Sequence, residues 1–301
     1  MKQLILSTSF LAIIACLLWS TAFAGIKIGL QYTPPLQFAG IRFFLSGLMI
    51  IPLIPSIKIY ITTLKTNYLS IISISLLQTV LLYLLFYSGI SLLPGSITAI
   101  TIGAQPLFIA VISHIMLHND KLSFRKVLSI SLGILGIILI AVNKGITDEN
   151  GSKKVLGILL LIGSNICSGL GNVVVSKQKN KIHPIILSSW QLLLGGIGLF
   201  IISLITEPFQ GFVFPLPYYL SLGWLSFLSA AAFTIWFILL QRPNTKVSDL
   251  NIWKFIIPVF GAILSWLILP DEYPELVSVA GMVIIGISLI WYNLLTKSKR
   301  R

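Results

Sequence analysis

Apolar stretches of about 20 residues, parted by short polar breaks, run the length of this chain and restrict its fold more than any other feature. A bilayer core is about 30 Å thick and a helix rises about 1.5 Å per residue, so each such stretch is long enough to cross a membrane. Ten are expected, at 5–29, 36–55, 68–90, 94–117, 125–143, 155–176, 184–206, 217–240, 248–269 and 276–295. They are expected to be helices, because lipid cannot satisfy open backbone groups. Only 10% of the 301 residues are charged and 56% are hydrophobic, which excludes an ordinary soluble domain. The first stretch ends in "LLWSTAFAGIKIGL" (17–30), whose Ala22-Phe23-Ala24 has the small-x-small form of a secretory cleavage site. It is nonetheless longer than the roughly 7–15 apolar residues of a signal peptide, so it is read as a retained span.

The basic residues set the orientation. With the N-terminus inside, the cytoplasmic segments hold fifteen of them, including Lys58, Lys121, Lys126, Lys177, Arg242 and Arg301. Three, Lys144, Lys153 and Lys154, lie outside. That asymmetry predicts both termini in the cytoplasm and explains the net charge of +13 without nucleic acid. Cys16 and Cys167 each fall inside an apolar run and read as small buried hydrophobes, so neither a disulfide nor a metal site is expected.

A displacement of about 150 residues lays the second half over the first. Lys27 then meets Lys177, Arg42 meets Gln191, Tyr83 meets Phe233, Phe86 meets Trp236, Pro106 meets Pro258 and Gly136 meets Gly286. The expected organisation is a five-helix repeat at 1–143, a linker at 144–154, a second five-helix repeat at 155–296 and a basic cytoplasmic tail at 297–301. Five is odd, so the two copies enter the membrane from opposite sides, the construction of many secondary transporters. The fold class is an all-α membrane protein of ten transmembrane helices, arranged as two inverted five-helix repeats.

Several intramembrane residues are candidates for a substrate cavity. Thr98, Thr101 and Gln105 share one helix face, as do Asn165, Ser168 and Asn172; such stripes either line a cavity or join helices. Trp19, Tyr83, Trp236 and their aromatic neighbours could stack on a substrate or simply fill the core. Arg42 and Lys254 lie about six residues inside their spans, and each either snorkels to the interface or binds an anionic group. Gln191 takes the place of Arg42 in the second half. Pro106 and Pro258 remove a helix hydrogen bond each and mark kinks or hinges. His114 is a titratable group near the inner end of its span, and Asp249, the one acidic residue within the expected spans, stands at the cytoplasmic edge of its own, so tight proton coupling is not favoured.

These pieces, "LLWSTAFAGIK", "GIRFFLSGL" (40–48), "GAQPLFIAVI" (103–112), "SWQLLLGG" (189–196), "IIPVFGAIL" (256–264) and "AGMVIIGISLI" (280–290), occur in an order and spacing that resembles the ten-helix EamA branch of the drug/metabolite transporter superfamily. One departure is "LHNDKL" (117–122), where Asp120 stands in for an acidic residue that often follows the fourth span. The resemblance implies a solute carrier with spans 1–4 and 6–9 around a central cavity and no cofactor. The expected function is secondary transport of a small organic metabolite, amino-acid-like and moved outward, by alternating access in the inner or plasma membrane. The alternative is an exchanger of phosphorylated or carboxylated organic anions leaning on Arg42 and Lys254. An enzyme is disfavoured, since the sequence holds no HExxH, GxSxG or metal-ligand spacing. The implied partners are the substrate and the bilayer, with a homodimer left open.

Overall fold

The computed structural model describes residues 7–93, 101–142, 151–268, 276 and 279–287, and these are all-helical, with no strand among them. The first stretch forms α1 (Thr8–Ser20) and α2 (Ala22–Gly29), with a break at Thr21. Ser7 caps α1 by accepting from the Phe10 amide. Next come α3 (Pro35–Ile50), α4 (Ile57–Ser75), a wide π turn at Leu76–Val80 and α5 (Leu81–Ile90). They are followed by α6 (Gln105–Met116), α7 (Phe124–Val142), α8 (Gly151–Lys177), α9 (Pro184–Thr206) and α10 (Leu216–Leu240). The ninth stretch is divided into α11 (Val247–Asn251), a 3-10 turn at Ile252–Phe255 and α12 (Ile256–Ile268), and residues 279–287 are helical again. Among the described residues, six helical runs are long and apolar enough to cross a membrane, and shorter apolar helices stand at Thr101–Met116 and Lys126–Leu135.

Two boundaries differ from the sequence expectation. The third helix begins at Ile57 rather than 68, because residues 57–66 are already helical, capped by Ser56 accepting from the Ile59 amide. Tyr60 is its buried anchor, stacked on Trp190 at 4.3 Å, while Lys58 and Lys65 stay exposed. The backbone bends at Asn67 (φ −125°, ψ 22°), part-way along the helical run. Both marked prolines also stand in the first turn of a new helical segment rather than mid-helix. Pro106 follows a break at Ala104, and Pro258 follows the 3-10 turn. A proline at that place sacrifices no helical hydrogen bond, so the strain of a kink is relieved by restarting the helix. Residues 94–100, 143–150, 269–275 and 288–301, which carry Thr98, most of the linker and the basic tail, lie outside the described residues.

The helices pack in a pattern of matched pairs. α3 lies along α9; α5 packs on α8 and α1 on α10; α6 packs on α8 and α1 on α12; α10 leans on α3, and the π turn with α4 leans on α9. Glycines let the α3–α9 backbones meet. A Cβ on Gly40 would come within 2.7 Å of the Phe200 amide nitrogen, and one on Gly196 would overlap the Phe44 amide nitrogen. Outward faces carry exposed apolar residues such as Leu69, Ile115, Ile201, Leu220 and Val283, a surface that lipid solvates.

Candidate substrate cavity

Where α1, α5, α6, α8, α10 and the 3-10 turn converge, a cavity of about 140 Å³ opens. Trp19, Tyr83, Gln105, Trp236 and Lys254 line it together with Gln78, Leu82, Ser168, Phe233 and Ile257. Trp19 is the hub of its aromatic wall, meeting Trp236 edge-on at 5.1 Å and Phe233 at 5.6 Å. The Trp236 indole N–H donates to Asn172 Oδ1 at 2.9 Å, which fixes the ring. Asn172 donates in turn to the Ser168 carbonyl at 2.7 Å, and Gln78 donates to the same carbonyl at 3.2 Å.

Lys254 supplies the cavity's charge. Its ammonium donates to Gln105 Oε1 at 2.9 Å and lies 5.2 Å from the Trp236 ring and 5.7 Å from the Trp19 ring. The hydrogen bond spans the two broken helices: Gln105 opens α6 beside Pro106, and Lys254 sits in the 3-10 turn that precedes Pro258.

The remaining sequence candidates stand apart from the lining. Arg42 is almost fully buried between α3 and α10, where Nε and Nη2 donate to Ser229 Oγ at 3.0 and 2.8 Å. Its guanidinium rests 4.7 Å from the Phe43 ring, and Phe43 packs on Tyr83 at 4.5 Å, so two aromatic rings separate Arg42 from the cavity. Asn165 donates to the backbone carbonyl of Thr101 at 2.6 Å, serving a backbone group just before the α6 break. Gln191 accepts from Thr79 in the π turn at 2.9 Å and holds α9 to it. His114 accepts from the Leu122 amide at 3.1 Å and closes the turn after α6.

A second, open basin of about 1230 Å³ lies at the end of the bundle that carries Lys121, Lys177, Lys179, Arg242 and Lys246. Its wall holds a side-chain cluster joining α6, α7 and α11. Lys126 Nζ contacts Asp120 at 2.8 Å and Asp249 at 2.7 Å, and Asp120 also accepts from the Ser248 amide at 2.8 Å and from the Ser248 hydroxyl. At the opposite end the Glu207 carboxylate caps α3, accepting from the Leu36 and Gln37 amides at 3.0 Å each, and takes a further bond from Ser203.

A model described as the EamA-like transporter family matches residues 6–142 and, separately, 155–294. The chain belongs to that family. An "Uncharacterized transporter YvbV" of Bacillus subtilis (strain 168) is 29% identical over 99% of this chain and 95% of its own length. A "Probable amino-acid metabolite efflux pump" of Escherichia coli (strain K12) is 26% identical over 94% of this chain and 92% of its own. An "S-adenosylmethionine/S-adenosylhomocysteine transporter" of Chlamydia trachomatis serovar L2 is 23% identical over 94% and 89%. A solved crystal structure shares the fold, with a TM-score of 0.82 at 16% identity over 98% of this chain and 99% of that one. The EamA-like chain is thus a multi-pass membrane transporter.

Gln78 is the polar lining residue that the sequence pattern did not single out, as Leu82 and Ile257 are the apolar ones. Its signal was present, a lone glutamine in the apolar run "ISLLQTVLLYLL" (74–85), where a polar side chain needs a partner or a purpose. Phe233 and Ser168 belonged to the marked aromatic and polar stripes, and the fold turns both into the lining.

Proposed function

We propose that this EamA-like transporter carries a small organic metabolite through the Trp19–Trp236–Lys254 cavity by alternating access, across ten spans built as two inverted five-helix repeats. The observation that carries the reading is the cavity itself. It draws on both halves of the chain and is closed by one hydrogen bond between the two proline-broken segments. The matched helix pairs support the inverted repeat: exchanging the halves converts the α5–α8 contact into α1–α10, α6–α8 into α1–α12, and α4–α9 into α3–α10, while α3–α9 maps onto itself. The twofold family match at 6–142 and 155–294 supports the same duplication. The basic basin supports cytoplasmic termini, since it gathers the loops richest in lysine and arginine.

An amino-acid-like substrate moved outward is the first substrate reading, supported by the relative named as an amino-acid metabolite efflux pump. A carboxylated or phosphorylated anion is the second, favoured by Lys254 inside the cavity. The test is reconstitution into liposomes with counterflow of a labelled metabolite mixture. Saturable transport stimulated from the far side and lost in Trp236→Ala supports a carrier using this cavity. Transport that is unsaturable, or indifferent to Trp236→Ala, overturns it.

A further inference from the structure

Lys254 is the one charged group among the described residues that line the cavity. An ammonium carries three donors, and the hydrogen bond to the neutral Gln105 amide uses one. The described ion pairs are made by Lys126, at the end of the bundle. A cation held at membrane depth against an amide and two indole faces gains strongly from any anion that reaches it.

Three of the acceptors around it are already engaged. Gln105 Oε1 holds Lys254, Asn172 Oδ1 holds Trp236, and the Ser168 carbonyl takes both Gln78 and Asn172. Among the described residues no aspartate or glutamate lines the cavity, and the two indole faces that could receive a substrate ammonium already face the ammonium of Lys254. The volume of about 140 Å³ is below the roughly 300–1,000 Å³ of drug-sized sites.

We propose that the cavity selects a compact organic acid with one carboxylate and an apolar or flat body, and without an ammonium group. Its carboxylate takes the Lys254 ammonium in place of Gln105, while the body lies against Trp19, Phe233 and Trp236. Because Gln105 opens α6 and Lys254 sits in the 3-10 turn before α12, the arriving anion also unties α6 from that turn. This inference rests on the cavity being the substrate site, as proposed above.

The test compares acids that share a body and differ in the ammonium: α-ketoisocaproate against leucine, and phenylpyruvate against phenylalanine. Binding to the purified full chain is read by calorimetry and by the rise in melting temperature that a ligand of the folded form produces. The keto acids are expected to bind at least about tenfold more tightly than their amino-acid counterparts. Lys254→Gln is expected to weaken keto-acid binding by about tenfold or more, and Lys254→Arg to retain most of it. Equal or tighter binding of leucine or phenylalanine overturns the inference, as does keto-acid binding unchanged by Lys254→Gln or absent from the wild-type protein. The wild-type comparison decides the matter even where a variant fails to fold. If counterflow still depends on Trp236 while the keto acids do not bind, the anion inference alone fails. If counterflow is indifferent to Trp236, the cavity reading fails first.

Discussion

Two regions of this transporter each hold a cation within an apolar span, and they treat it in opposite ways. Beside the α3–α9 seam, where glycines bring the backbones together and Ser189 donates to the Gly47 carbonyl at 2.8 Å, Arg42 lies in close packing between α3 and α10, and Ser229 takes two guanidinium donors. Around the cavity, Lys254 faces open space, with a neutral amide and two ring faces as its company. A positive charge within a span is therefore not by itself a binding group. What decides its role is whether the fold surrounds it or leaves it a direction in which to reach.

Four substitutions put that contrast at risk. The largest effect is expected at the seam, where Gly196→Leu drives a side chain into the Phe44 backbone. It should cost at least the upper part of the about 1–3 kcal/mol typical of overpacking, seen as loss of a monodisperse peak in size-exclusion chromatography. Lys254→Gln comes next: a normal elution profile and melting temperature, with counterflow slowed about tenfold or more, as expected when one partner of a buried charge contact is removed. A seam-like collapse of that variant would erase the distinction between the regions. Trp236→Phe keeps a ring and loses the bond to Asn172, so transport should drop only about two- to fivefold, by roughly the 0.5–1 kcal/mol of a net hydrogen bond. Arg42→Met is the mildest, because an apolar side chain of similar length often replaces a buried charge at little cost. Transport should stay within about twofold of wild type when the melting temperature is measured alongside it, the Ser229 hydroxyl losing about 1 kcal/mol of bonding. Full loss of transport in a well-folded Arg42→Met protein would return Arg42 to the substrate path.

The apolar runs announced where helices lie, since chain length in hydrocarbon is a one-dimensional constraint. Trp19, Tyr83, Gln105, Trp236 and Lys254 were legible as a set because each breaks or marks its run in a way that helical spacing reveals. Arg42 and Lys254 were indistinguishable at that stage, their depths being alike, and only the neighbours brought in from α10 and α6 separate them. Asn165 and Gln191 answer to the Thr101 backbone carbonyl and to a threonine hydroxyl, partners that no periodicity specifies. The break at Thr21, the bend at Asn67 and the restart at Gln105 were hidden for the same reason: each is a local concession to how neighbouring helices fit.

The wide turn at Leu76–Val80 accommodates one residue more than an α-turn would. Everything after it, including Tyr83, is therefore clocked forward about the helix axis by one residue's worth of rotation, about 100°. Deleting a single residue between 76 and 80 would swing the phenol of Tyr83 away from its present azimuth, leaving hydropathy and length almost untouched. The chemistry offered to a solute thus depends on angular phase as well as on which amino acids are present.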